Sequence, residues 1–195
     1  MNAYFWETTM TDHAAIDMLS KEHKIILQVV LGLHGLAGHL REGRRVDVEL
    51  LREAVDFMRE FADKCHHAKE EELLFPALVA HGVPLHGCPL DALLHEHKKG
   101  RLLAGQLSDA IDAYHAGERD GGDKITTAIE AIERLYPDHI WKEDDMVFPM
   151  AARLIPAKDR ERLFVQFTEV EARNPPGTHE RYHDFARRLA LASSH

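Results

Sequence analysis

One local pattern occurs twice in this chain. His66-His67-Ala68-Lys69-Glu70-Glu71-Glu72-Leu73-Leu74-Phe75-Pro76 and His139-Ile140-Trp141-Lys142-Glu143-Asp144-Asp145-Met146-Val147-Phe148-Pro149 align on Phe-Pro. Both read His-x-x-x-Glu, then two acids, two apolar residues, Phe and Pro. A His and a Glu four positions apart share one helix face. Two such pairs facing each other inside a helical bundle make a mixed nitrogen and oxygen metal site. One His-x-x-x-Glu is a weak signal; two in matching context are a strong one.

Each copy is preceded by a related stretch, Leu19-Ser20-Lys21-Glu22-His23-Lys24 and Leu93-Leu94-His95-Glu96-His97-Lys98. The separations agree: 43 residues from His23 to His66, and 42 from His97 to His139. The chain therefore reads as two helical hairpins, each supplying a His and then a His-x-x-x-Glu. The inferred ligand set is His23, His66, Glu70, His97, His139 and Glu143.

The elements that must position these residues follow from apolar spacing near the helical period, with no alternation of the strand type. Helices are expected over about 12–40, 47–80, 90–115 and 123–150, with Thr11 or Asp12 as the first cap. Two shorter ones follow over about 157–172 and 178–192. Pro76 and Pro149 are expected to kink or break their helices. At 1.5 Å rise per residue, His23 lies roughly 25 Å from the end of the first helix, and the second helix returns roughly 28 Å to His66. The second hairpin behaves alike, so all four helices bring their candidate ligands to one level. The fold class expected is all-α: an up-down four-helix bundle over 1–155, with two additional short C-terminal helices over 156–195 packing on it.

Register selects among the fifteen histidines. On the fourth helix Ile125, Ile129, Ile132, Tyr136, His139, Glu143, Met146 and Met150 form an apolar seam with steps of three and four. A carboxylate in that seam needs a partner. On the second helix the choice is His66 with Glu70 or His67 with Glu71. The first pair continues through Ala62, Met58, Val55 and Leu51, the second through polar Asp63 or Lys64 and Glu60. His67 and Glu71 are therefore expected to flank the site, with loss of His67 mild beside loss of His66. His34 is expected as a hydrogen-bonded core residue, and the charge runs as solvated apart from their first acid. Cys65 reads as a small residue at the core edge. The cluster Tyr4-Phe5-Trp6 carries no assignment.

Composition narrows the function classes. A 195-residue chain that is 45% hydrophobic can bury one core. Its formal charge of −9 offers no basic excess for nucleic acid. No apolar run is long enough to span a membrane, and the first residues lack a signal-peptide pattern, so the expected location is cytoplasmic. Cys65 and Cys88 form no zinc or disulfide framework. Four imidazoles and two carboxylates suit one or two first-row cations, with iron the best match and manganese or zinc as alternatives.

The doubled pattern of Glu-His and His-x-x-x-Glu with Phe-Pro ends resembles the hemerythrin-like HHE cation-binding domain, over about residues 12–155. The resemblance implies a non-haem di-iron centre: two iron ions (Fe2+/Fe3+), oxo- or hydroxo-bridged, with the six residues above as ligands. It implies a small diatomic partner, O2 or NO, or peroxide. Oxygen-carrying members have a fifth His and an Asp. Here Arg101 stands at the fourth position after His97 and Glu143 replaces the Asp, so reaction with small oxidants is expected over O2 storage. An enzyme consuming peroxide or NO, an iron store or donor, and a structural metal-stabilised bundle are the competing classes.

Overall fold

The computed structural model describes residues 13–193. These residues form helices and turns, with no strand among them. Helix α1 runs Ala14–Arg41. A turn leads to α2, Val48–Phe57, whose N-cap Asp47 accepts a hydrogen bond from the Glu49 amide. The chain stays helical through two π-helical segments, Met58–His67 and Glu70–Leu74, into α3, Phe75–Ala80. Helix α4 is Leu90–His115 and α5 is Gly121–Lys142. A third π-helical segment, Glu143–Val147, leads into α6, Phe148–Leu154. Two further helices close the described chain, α7 (Ala157–Glu171) and α8 (Thr178–Ser193). Thr11, Asp12 and Tyr4-Phe5-Trp6 lie outside the described residues.

Neither Pro76 nor Pro149 breaks its rod. Each follows a π-helical segment and occupies the first turn of the next α-helix. There a missing N–H costs little, because the preceding wide turn has already loosened the hydrogen-bond ladder. Both rods consequently remain helical past the metal-type residues and deliver Leu74, Phe75, Val147 and Phe148 to the core.

Burial is divided into two apolar clusters. One contains Ile26, Leu33, Leu51, Phe61, Leu107 and Ile132. The other contains Leu19, Leu74, Leu78, Leu93, Phe148 and Phe167. Along every bundle helix the candidate ligands fall between these two clusters, so the polar layer is closed by hydrocarbon above and below. Full burial of each such aliphatic side chain contributes about 1.5–3 kcal/mol. That surplus is what tolerates a buried layer of imidazoles and carboxylates.

Helix α1 packs against α5 on one side and α8 on another, which is why its apolar stripe is wide. Gly32 and Gly35 allow the close approach of α8: a Cβ on Gly32 would come within 2.5 Å of Leu189 Cγ, and one on Gly35 within 2.4 Å of the Ser193 Cβ. No helix of the described residues is long and apolar enough to cross a membrane.

Candidate metal centre

The central feature is a departure from the α-helical period. On an α-helix adjacent residues point about 100° apart, so two neighbours both reach the interior only on a wide buried face, as His139 and Ile140 do on α5, or where the turn widens. In the π-helical segment Met58–His67 the turn is wider, and both His66 and His67 are buried, at 1% and 2% exposure. The expectation that His67 flanks the site is corrected: its ring stacks on His97 at 3.9 Å between centroids and 14° between planes. It also meets His139 edge-on at 5.7 Å. The same physics shifts the seam after Glu143. Met146 is 43% exposed, whereas Val147 and Phe148 are buried.

All six residues singled out in the sequence enter one layer, joined by His67. Ligand-type atoms of His23, His66, Glu70 and Glu143 lie within 4.8 Å of one another, as do those of His67, His97 and His139. The two glutamates stand between the groups. Glu70 directs Oε1 to His66 Nε2 at 3.6 Å and Oε2 to His97 Nε2 at 3.4 Å. Glu143 directs Oε2 to His23 Nε2 at 3.2 Å and His139 Nε2 at 3.3 Å, and Oε1 to His97 Nε2 at 3.6 Å. None of these approaches has hydrogen-bond geometry. Both oxygens of Glu70 and Glu143, and Nε2 of His23, His97 and His139, are buried without a hydrogen-bond partner. Buried polar atoms are seldom left so. Converging orphaned oxygen and nitrogen lone pairs are what a bound cation satisfies, so the donor set fits a metal.

Residues 14–151 match the hemerythrin HHE cation binding domain. The chain belongs to this family. An uncharacterized protein of Mycobacterium tuberculosis is 24% identical over 155 residues, covering 80% of this chain and 60% of that protein. The same figures hold for an uncharacterized protein of Mycobacterium bovis. The zinc finger protein BRUTUS of Arabidopsis thaliana is 28% identical over 134 residues, covering 66% of this chain and 10% of that protein. The chain thus spans 60% of the length of the mycobacterial relatives. No solved structure matches it with significance.

In this HHE domain every inward imidazole is anchored from behind by a carboxylate, and the anchors follow the repeat. His66 Nδ1 pairs with Glu22 at 2.8 Å, and His139 Nδ1 with Glu96 at 3.0 Å. His23 Nδ1 pairs with Asp144 at 2.9 Å, and His97 Nδ1 with Glu71 at 2.7 Å. So the Glu of each Glu-His-Lys holds the histidine of the next helix in its own hairpin. The acid after each seam glutamate holds the histidine of the other hairpin. An Nδ1–H donated outward leaves the Nε2 lone pair aimed inward, the tautomer a metal ligand needs.

His67 has no counterpart, since Ile140 occupies its place in the second copy. Its anchor is Asp63, at 3.3 Å. Arg101 ties that anchor to the next, donating to Asp63 at 2.8 Å and to Glu71 at 2.7 Å. The residue standing where oxygen carriers place a fifth histidine therefore braces the fifth histidine of this domain, which comes from another helix. Sequence reasoning passed over Glu22 and Glu96 as anchors, although both are part of the repeated Glu-His-Lys. It also placed Lys69 on a solvated face, and Lys69 is fully buried. His34 is hydrogen-bonded, to Glu133 at 2.8 Å, but is 60% exposed and not a core residue.

Electrostatics separate the two glutamates. Burial, then the Glu143 carboxylate, pushes Glu70 well above the usual range. Burial acts on Glu143 in the same sense, yet His139, His23 and His97 hold it well below. Burial acts to lower His23, but Asp144 and Glu143 carry it up to about 9. Burial, then His97, brings His67 down to about 3, which keeps this imidazole neutral. Protons thus stand in part where a cation would, and metal binding must displace them.

Proposed function

We propose that this HHE domain holds two iron ions and that the pair binds or reacts with O2, NO or peroxide. His23 and His66 would serve one ion, His67, His97 and His139 the other, and Glu70 and Glu143, which stand between the groups, could serve both. The observation that carries this reading is the set of orphaned carboxylate oxygens and imidazole nitrogens converging from four helices. Thiolate is absent from the set, and so is the oxygen-only donor pattern of calcium sites, which leaves first-row cations. A ferrous pair supplies the electrons for reduction of a small oxidant.

The protein's own residues do the rest. The carboxylate anchors fix each imidazole by its Nδ1. The two apolar clusters exclude water from the layer, which strengthens every charge interaction within it. His67 raises the set to five imidazoles and two carboxylates. The expectation against O2 storage rested on a missing fifth histidine and on Glu143 in place of an Asp, and the first of these grounds lapses. Reversible O2 binding stands beside oxidant reduction as an outcome to be measured.

Anaerobic reconstitution with ferrous iron is expected to give about two ions per chain, and His139→Ala to lose at least one. Optical spectra before and after O2, NO and peroxide then separate the classes. A change that reverses on deoxygenation identifies binding, and conversion to a lasting ferric form with peroxide loss identifies turnover. Rapid iron transfer to a chelator identifies a donor, and retention of zinc with no reaction a structural site. Wild-type stoichiometry near zero would sink the reading.

Tyr136 tests reactivity apart from loading. It is buried one turn before His139, with ring centroids 6.5 Å apart, and burial pushes its hydroxyl above the ordinary range. Tyr136→Phe is expected to change the rate of reaction with O2 or peroxide at unchanged iron content. An unchanged rate reduces it to core packing.

A further inference from the structure

Residues after 151 lie outside the family match, yet they are joined to the centre by a buried polar chain. It starts at Lys69, three positions after His66 and fully buried. An ammonium there needs carboxylates. It has two, Glu22 from α1 and Glu171 from the last position of α7. Glu171 is also paired with His179 of α8 and accepts from the Cys65 thiol at 3.2 Å. The other oxygen of Glu22 is the one on His66 Nδ1. The chain His66, Glu22, Lys69, Glu171, His179 is thus continuous from the metal layer into the C-terminal hairpin.

The other half of the repeat ends differently. His139, Glu96 and Lys142 repeat the first three members. Lys142 then turns to Asp138 on its own helix, and its side chain is 25% exposed against 0% for Lys69. The chain behind His139 therefore ends at a partly exposed lysine, and the chain behind His66 is locked to a structure the repeat does not contain. Glu22, Cys65, Glu171 and His179 also gather ligand-type atoms within 4.8 Å. The Lys69 ammonium, bound to two of them, takes the place of a cation there.

We propose that the α7–α8 hairpin is a positioning element for the metal held by His23 and His66, with Glu171 as its positioning residue. By holding Lys69, Glu171 lets Glu22 stay on His66 Nδ1 while it shares Lys69. Without Glu171 the buried ammonium has Glu22 alone, and the Glu22 anchor is drawn from the imidazole. This rests on the reading that the layer binds two ions. Coupling of this kind is reciprocal: an ion at that position must also favour the docked hairpin.

The test uses the full chain and ferrous iron as the probe. Glu171→Gln keeps the shape and removes the charge. It is expected to weaken one of the two iron sites by about 10–100-fold, the usual effect of losing a support behind a ligand, and to leave the other unchanged. Glu169→Gln, an exposed change on the same helix, should bind both ions as the wild type does, and Glu171→Asp should restore part of the loss. Lys69→Met removes the ammonium that would draw Glu22 away, so adding it to Glu171→Gln should restore most of the lost affinity; if Glu171→Gln folds poorly, the milder Glu171→Asp and the iron dependence of amide exchange in the wild type still decide. Amide exchange supplies a readout that simple packing would not move: iron should slow exchange in α7 and α8 of the wild type and not of Glu171→Gln. Two ions bound with wild-type affinity in Glu171→Gln, a loss that Lys69→Met does not relieve, or a hairpin indifferent to iron overturns the proposal and leaves the di-iron reading standing. A wild type that binds no iron removes both.

Discussion

His67→Ala is expected to lower the iron content from about two ions per chain to about one. His67 faces His97 and His139, and no other described imidazole shares that group. Loss of a support behind a ligand costs roughly 10–100-fold in metal affinity, and loss of the imidazole itself should cost more. His66→Ala should lose the other ion, and the double variant nearly all iron. Anaerobic titration followed by metal analysis gives the numbers. An ion count of two in His67→Ala would mean that the stacked ring only fills space. That would restore the ranking expected from helical periodicity alone, in which His67 is dispensable.

Glu70→Leu should move stability in opposite directions with and without metal. Both Glu70 oxygens are buried without a hydrogen bond. In the metal-free chain this carboxyl is a cost, because burial and the nearby Glu143 disfavour its charge. Replacing poorly compensated buried ionic groups with hydrocarbon of similar volume is often neutral or stabilising, by up to about 4 kcal/mol. The metal-free variant is therefore expected to unfold at higher urea than the metal-free wild type. With ferrous iron at a hundred times its dissociation constant, the wild type should gain about 2.7 kcal/mol, and Glu70→Leu little of it. Urea unfolding under chelator and under iron, both anaerobic, measures the two signs. If the metal-free variant is the weaker, Glu70 is a structural partner of its neighbours and not a metal donor.

Much of the centre was legible in the residues. The doubled His-x-x-x-Glu, the two Glu-His-Lys stretches and their matched spacing located the side chains that fill the layer. Apolar periodicity placed the helices that carry them. These signals are local or repeated, and a helix transmits them faithfully because one face recurs at every third or fourth position.

What the tertiary structure decided lies where that regularity fails or where distant segments meet. His67 lies inward and Met146 outward within π-helical turns that interrupt the α-helical period, and nothing in the composition of those stretches announces the interruption. Lys69 looked like part of a solvated charge run, since its partners are 47 and 102 positions away. Arg101 looked like a missing histidine until Asp63 and Glu71 came to it from another helix. Which acids anchor which imidazoles depends on how four helices rotate against each other. The lock on one half of the centre depends on a hairpin that no repeat encodes. The sequence by itself determined the six His and Glu side chains of the layer and their level; packing determined how many imidazoles face inward, what holds each one, and which half of the layer is tied to the rest of the chain.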